Sequence, residues 1–248
     1  MELIKKVAIV TGSGRGIGKE ISLALAKEGC NLVITSDIQT ELNITAYEIK
    51  EIGVEVLPIC LDLTLEKNLN ELVRNTINRF NTIDILVNNA AICIQKSFIE
   101  TTVEDWDRTM NINLRTPFIL SKLVINIMKE KKEGYIINIS SAIADPTTPR
   151  IQGSSNGDYV PYAASKYGIV GLSRALYDAS IKENYGVVIS TIYPNLTNTE
   201  MTRSLKFETE LPLYSWAEPD DVSKSVIFIL NQYKTCVVND LVIRNREF

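Results

Sequence analysis

The sequence predicts an α/β fold: a doubly wound parallel sheet of about seven strands, with helices on both faces. Three observations lead there. Short apolar runs such as Val7-Ala8-Ile9-Val10 alternate with longer stretches of helical periodicity from one end of the chain to the other. The runs are continuous and rich in β-branched residues, as strands buried on both faces require. No linker, repeat or low-complexity tract interrupts residues 1–248, which therefore read as a single domain.

In order, Val7 to Val10 forms the first strand, and a glycine-rich turn leads into a helix from Gly16 to Glu28. Asn31 to Thr35 is the second strand, Thr40 to Ile52 a helix and Val54 to Cys60 the third strand. Leu65 to Phe80 is helical, and Ile83-Asp84-Ile85-Leu86-Val87 is the fourth strand. A long helix over Val103 to Lys131 is interrupted or bent near Pro117. Tyr135 to Ile139 is the fifth strand, Val160 to Glu183 a helix and Val187 to Tyr193 the sixth strand. A helix over Pro219 to Leu230 and a strand over Val237 to Ile243 close the pattern. Two irregular stretches, 142–159 and 195–217, follow strand C-terminal ends, where ligands bind in such sheets.

Composition excludes several chemistries. The chain has no histidine, which rules out Ser-His-Asp and Cys-His catalysis and imidazole zinc sites. The four cysteines, Cys30, Cys60, Cys93 and Cys236, form no CxxC pair, so neither a disulfide framework nor a thiolate metal site is expected. Cys93 lacks a His partner and reads as a small apolar residue. A net charge of −4 gives no basic footprint for nucleic acid, and no apolar run is long enough for a membrane helix. With no apolar signal segment at its start, the chain is expected to be cytoplasmic.

Two motifs carry chemistry. Thr11-Gly12-Ser13-Gly14-Arg15-Gly16-Ile17-Gly18 joins the first strand to the first helix. Glycine permits close backbone approach, and the free N–H groups of a helix N-terminus attract a pyrophosphate. The literal GxGxxG spacing is absent, and Lys19 is followed by Glu20, so the loop is not a P-loop. Alternatively it is a tight turn that binds nothing. In Tyr162-Ala163-Ala164-Ser165-Lys166 a phenol and an ammonium share one helical face. A nearby cation favours the phenolate, so such a Tyr can exchange protons near neutral pH; alternatively the pair is an ordinary solvated helical face. Tyr159 is followed four residues on by Ala163, which supplies no cation.

Over essentially its whole length the chain resembles the short-chain dehydrogenase/reductase family, whose sheet is Rossmann-like. Thr11 to Gly18 matches that family's TGxxxGxG loop, Tyr162 and Lys166 its YxxxK, and Asn88-Asn89-Ala90-Ala91 three of four places in its NNAG. Asn113, Ser141, Asp62 with Leu63, and Pro194, Thr197 and Thr199 fall at further family positions in the same order. The resemblance implies an NAD(P)-dependent oxidoreductase acting on a ketone or secondary alcohol. Tyr162 would exchange the proton, Lys166 hold the ribose and lower the Tyr162 pKa, Ser141 hydrogen-bond the substrate oxygen, and Asn113 support a water relay. The implied cofactor contacts are Gly12, Ser13, Gly14, Arg15, Gly16, Ile17, Gly18, Ser36, Asp37, Asp62, Leu63, Asn89, Ala90, Tyr162, Lys166, Pro194, Thr197 and Thr199, with no metal.

Departures from the family pattern are Ala91 for the last glycine of NNAG, Asn195 after Pro194, and a long segment between Ser141 and Tyr162 containing Pro149 and Arg150. That segment forms an enlarged pocket wall or a solvated elaboration. The apolar residues of 195–217, among them Phe207, Leu211, Leu213, Tyr214 and Trp216, resemble the family's substrate lid. For the cofactor, Asp37 argues for NAD and Arg15 for NADP; the balance leans to NAD(H) over NADP(H). The resemblance also implies a homo-oligomer, tetramer or dimer, formed through the two long helices. The alternative is a non-catalytic nucleotide-binding sensor or scaffold, from which the complete Asn113, Ser141, Tyr162 and Lys166 set separates this chain.

Overall fold

In the computed structural model, residues 2–147, 156–205, 216–232 and 235–245 are described. Their strands form one parallel sheet: β1 (Val7–Val10), β2 (Asn31–Ser36), β3 (Val56–Cys60), β4 (Ile85–Asn88), β5 (Gly134–Ile139), β6 (Val187–Pro194) and β7 (Asp240–Ile243). The order across the sheet is β3-β2-β1-β4-β5-β6-β7, with Ala8 opposite Leu32 on one side and Ile85 on the other. The winding therefore reverses between β1 and β4, and a crevice opens outside the strand C-termini at that point.

The helices are α1 (Gly16–Lys27), α2 (Gln39–Ile52), α3 (Glu66–Phe80), α4 (Val103–Met110), α5 (Thr116–Lys131), α6 (Val160–Lys182), α7 (Glu200–Ser204) and α8 (Pro219–Leu230). Successive strand residues face opposite layers. Ala8 and Val10 pack with Ile21, Leu25 and Val226, the layer of α1, α2 and α8. Val7 and Ile9 pack with Leu69, Leu120 and Val124, the layer of α3 and α5, which α6 joins through Leu176 and Tyr177. Each fully buried Leu or Ile stabilises the fold by about 1.5–3 kcal/mol, so these two layers hold the sheet that positions the crevice.

Three differences from the sequence expectation have physical causes. The long helix is interrupted, not at Pro117 but by a π-helical turn over Asn111–Arg115 that joins α4 and α5, and Pro117 sits in the first turn of α5. The outer strands are shorter than expected and not doubly buried, because β3 and β7 lie at the sheet's edges. The short α7, capped by the Thr199 side chain accepting from the Thr202 N–H, has too few turns to register as a period in the sequence. Of the two irregular stretches, 148–155 and 206–215 lie outside the described residues, and with them Pro149, Arg150, Phe207, Leu211, Leu213 and Tyr214.

Candidate active site

The crevice is a cleft of about 940 Å³, large enough for a dinucleotide and a small substrate. Its floor is the turn from β1 to α1. Gly12 has φ +68°, and a Cβ there would lie 2.9 Å from the Ala90 Cα. Gly18 is more tightly held: a Cβ would lie 2.1 Å from the Gly12 carbonyl oxygen and 2.4 Å from the Asn89 side-chain nitrogen. At Gly12 and Gly18 the loop is thus pressed against the residues just after β4. Asn89 fastens it, its Nδ2 donating to the Thr11 carbonyl at 2.9 Å and the Gly12 carbonyl at 3.1 Å. Thr11 Oγ1 answers by accepting from the Asn89 and Ala90 N–H groups. No side chain caps the N-terminus of α1, so its first N–H groups remain available to an anion. An uncapped twelve-residue helix over a glycine cradle fits a pyrophosphate.

Most of the expected cofactor contacts line the cleft: Gly12, Gly14, Arg15, Gly16, Ile17, Ser36, Asp37, Asp62, Leu63, Asn89, Ala90, Pro194, Thr197 and Thr199. Ser13 does not. It is fully buried, its hydroxyl donating to the Val10 carbonyl at 2.8 Å and its N–H to the Thr35 carbonyl at 2.7 Å, so it braces the loop from behind. Gly18 also stays off the cleft wall and acts through its lack of a side chain. The Asp62 carboxylate accepts from both the Thr64 hydroxyl and N–H, which hold it below the usual carboxylate range.

At the other end of the cleft Ser141, Tyr162 and Lys166 come together. Ser141 leaves β5 in an extended conformation, while its neighbour Ser140 turns inward and donates to the Lys166 carbonyl at 3.1 Å. Tyr162 and Lys166 lie one turn apart at the start of α6, with the Lys166 Nζ 5.5 Å from the Tyr162 ring centroid. Burial pushes the Tyr162 phenol above its ordinary value, the Cys93 sulfur adds to the rise, and the hydrogen bond with Ser141 opposes it. Burial likewise pulls Lys166 down to about 8. The Lys166 ammonium donates to the Ile139 carbonyl at 2.8 Å, and the hydrogen bond with Ser141 lowers the Tyr162 phenol against the effect of burial. A phenol so placed is a proton donor at neutral pH rather than a preformed phenolate.

Asn113 is buried in the π-helical turn and does not line the cleft. Its Oδ1 accepts from the Ile92 N–H, and its Nδ2 donates to the Ile92 carbonyl and to the Ser165 hydroxyl, at 2.9, 2.9 and 3.1 Å. It therefore clamps the segment after β4 to the residue preceding Lys166. The extra residue of the π turn places it there.

Sequence reasoning missed several lining residues: Glu41, Arg108, Tyr167 and Glu200 among them, with Cys93, whose thiol burial pushes up to about 12. Glu41 was findable, since every crossover helix starts at the strand C-terminal edge and Glu41 is in the first turn of α2. Among the described residues no group of acidic and cysteine side chains could hold a metal ion, and no helix is long and apolar enough to cross a membrane.

Comparison with known proteins agrees with this geometry. The sequence model of the family described as short chain dehydrogenase matches residues 6–210. A 3-oxoacyl-[acyl-carrier-protein] reductase of Synechocystis is 31% identical over 92% of this chain and 90% of its own length. The crystal structure of a 3-ketoacyl-(acyl-carrier-protein) reductase from Brucella melitensis, complexed with NADH, superposes with a TM-score of 0.84 at 25% identity, covering 97% of both chains. A metagenomic short-chain oxidoreductase in complex with NADP gives 0.82 at 25% identity over 100% of both. The chain belongs to the short-chain dehydrogenase family and is an NAD(P)-dependent oxidoreductase acting on a hydroxyl or keto group.

Proposed function

We propose that the cleft carries out hydride transfer between NAD(H), in preference to NADP(H), and a small ketone or secondary alcohol, with Tyr162 as its acid and base. The observation that carries this reading is the convergence of Ser141, Tyr162 and Lys166 at one end of a cleft whose other end is an uncapped helix over a glycine cradle. The glycine loop, Asp37, Asp62, Asn89 and Lys166 would hold the dinucleotide, which supplies or accepts the hydride when bound. In reduction the Tyr162 hydroxyl gives its proton to the substrate oxygen as negative charge develops there, and in oxidation the phenolate takes it back. Ser141 donates a hydrogen bond to the same oxygen and so stabilises the developing alkoxide. The Lys166 ammonium, close to the phenol ring, stabilises Tyr162 after it has lost its proton. Asn113 acts as a positioning residue for the wall and for α6.

All of this would occur in one dinucleotide-binding and catalytic domain, working in the cytoplasm as a homodimer or homotetramer. Exposed Trp106, Phe118 and Tyr167 on α4, α5 and α6 support the assembly, since large apolar side chains gathered on neighbouring helices mark an interface. Sedimentation of the purified protein checks it: a dimer or tetramer is expected, and a monomer at micromolar concentration contradicts it. The function itself is tested by following NADH oxidation across a panel of ketones that includes 3-oxoacyl thioesters, the substrate class named for the Synechocystis relative. Turnover of at least one ketone is expected. Nucleotide binding with no turnover on any of them favours the sensor or scaffold reading.

A further inference from the structure

We propose that Glu41, reaching over the glycine loop from α2, is the residue that sets cofactor choice, by masking Arg15 and by opposing a 2′-phosphate. This rests on the nucleotide-binding reading of the cleft. Arg15 is the cleft cation beside the C-terminal end of β2, and it is already occupied. Its Nη1 donates to Glu41 Oε1 at 3.1 Å and to Glu200 Oε2 at 3.0 Å, so two carboxylates face one guanidinium. The Glu41 carboxylate also lies across the loop itself: a Cβ on Gly14 would come within 3.0 Å of Glu41 Oε2 and 2.7 Å of Ser36 Oγ. The helix that carries Glu41 is pinned there, with Thr45 Oγ1 donating to the Gly14 carbonyl at 3.3 Å.

In doubly wound dinucleotide sites an acidic group about 20 residues beyond the glycine turn receives the ribose 2′-hydroxyl, whereas an Arg nearby accommodates a 2′-phosphate. Here both are present, and the ion pairs decide between them. A 2′-phosphate would meet Glu41 and the neighbouring Asp37, and it could recruit Arg15 only by displacing a carboxylate. These exposed pairs add little to stability, but they leave the local charge negative. A ribose hydroxyl finds an acceptor in Glu41 without disturbing anything. The unusual feature is the origin of the acid, on the helix after β2 rather than at the strand's end, where Ser36 stands.

The test is fluorescence titration with NADH and NADPH of the wild type, Glu41→Gln and Glu41→Gln/Arg15→Ala, at low and physiological salt. The wild type is expected to bind NADH the more tightly. Glu41→Gln should tighten NADPH binding by about tenfold at low salt and less at high salt, as removal of one charge beside a dianion in a screened site implies. Adding Arg15→Ala should cut that gain, because it removes the share that the freed guanidinium supplies and leaves only the share due to the lost negative charge. An NADPH affinity unchanged in Glu41→Gln, or a wild type that prefers NADPH, overturns the assignment while leaving the cleft a nucleotide site. Binding of neither nucleotide by the wild type removes the reading beneath it as well.

Discussion

Adding one methyl group at Gly18 should damage the protein more than its size suggests. A Cβ there lies 2.1 Å from the Gly12 oxygen and 2.4 Å from the Asn89 Nδ2. A carbon normally stays about 3.3 Å or more from a carbonyl oxygen, so roughly 1 Å of separation must be found. Neither neighbour yields freely. Gly12 is itself against Ala90, and Asn89 is engaged with the Thr11 and Gly12 carbonyls at 2.9 and 3.1 Å. Overpacking of this kind costs about 1–3 kcal/mol, and each lost side-chain hydrogen bond about 1 kcal/mol. The better helix propensity of alanine returns at most about 1 kcal/mol. Gly18→Ala should therefore lose about 3 kcal/mol, lowering Tm by roughly 6–12 °C for a domain of this size. Urea unfolding followed by circular dichroism, at one protein concentration for both forms, measures it. A loss below about 1 kcal/mol would refute the claim that Gly18 packs on Gly12 and Asn89 without slack.

Burial lowers Lys166 to about 8, against an ordinary value of 10.5 for the unfolded chain. Between those values the unfolded state binds more protons than the folded one, so this lysine makes nucleotide-free protein more stable as pH rises. The stability advantage of Lys166→Met over wild type, whatever its size at pH 8, should shrink by about 2 kcal/mol on going to pH 10. Paired urea titrations at the two pH values read it, and a difference that is flat or grows would be inconsistent with a desolvated ammonium. Asn113→Ala strands the Ile92 N–H and carbonyl and removes a donor from the Ser165 hydroxyl, at a cost of about 2–4 kcal/mol. Unfolding free energy within about 1 kcal/mol of wild type would show that these groups find other partners.

The fold was legible in the sequence because doubly buried strands need unbroken apolar runs, and β1, β2, β4, β5 and β6 all show them. The edges were less legible: β3 and β7 are half-exposed, so their ends are set by pairing with β2 and β6 and not by hydrophobicity. Single-residue motifs with fixed spacing, the glycine turn and the Tyr162–Lys166 pair, could be read directly because one helical or turn period contains them. What could not be read is three-dimensional. Ser13 looks like any loop residue in sequence, yet the turn of the chain directs its hydroxyl to the Val10 carbonyl. Asn113 owes its place to a π-helical turn that no periodicity announces. Glu41 and Glu200 both meet Arg15 only because α2 and α7 both start at the mouth of the cleft. The Lys166 ammonium also meets the Ile139 carbonyl, a partner distant in sequence.

The central claim is that the Tyr162 hydroxyl moves the proton in this cleft. Tyr162→Phe removes one oxygen atom from a side chain held at the start of α6 and leaves the glycine cradle and Lys166 in place. With a ketone that the wild type reduces, NADH oxidation and NADH affinity are to be measured side by side for the two forms. NADH affinity is expected within about threefold of wild type and turnover lower by at least about a hundredfold, the smaller end of general acid–base contributions. Turnover within about tenfold of wild type, with NADH still bound, would contradict it, because proton transfer would then belong to another group.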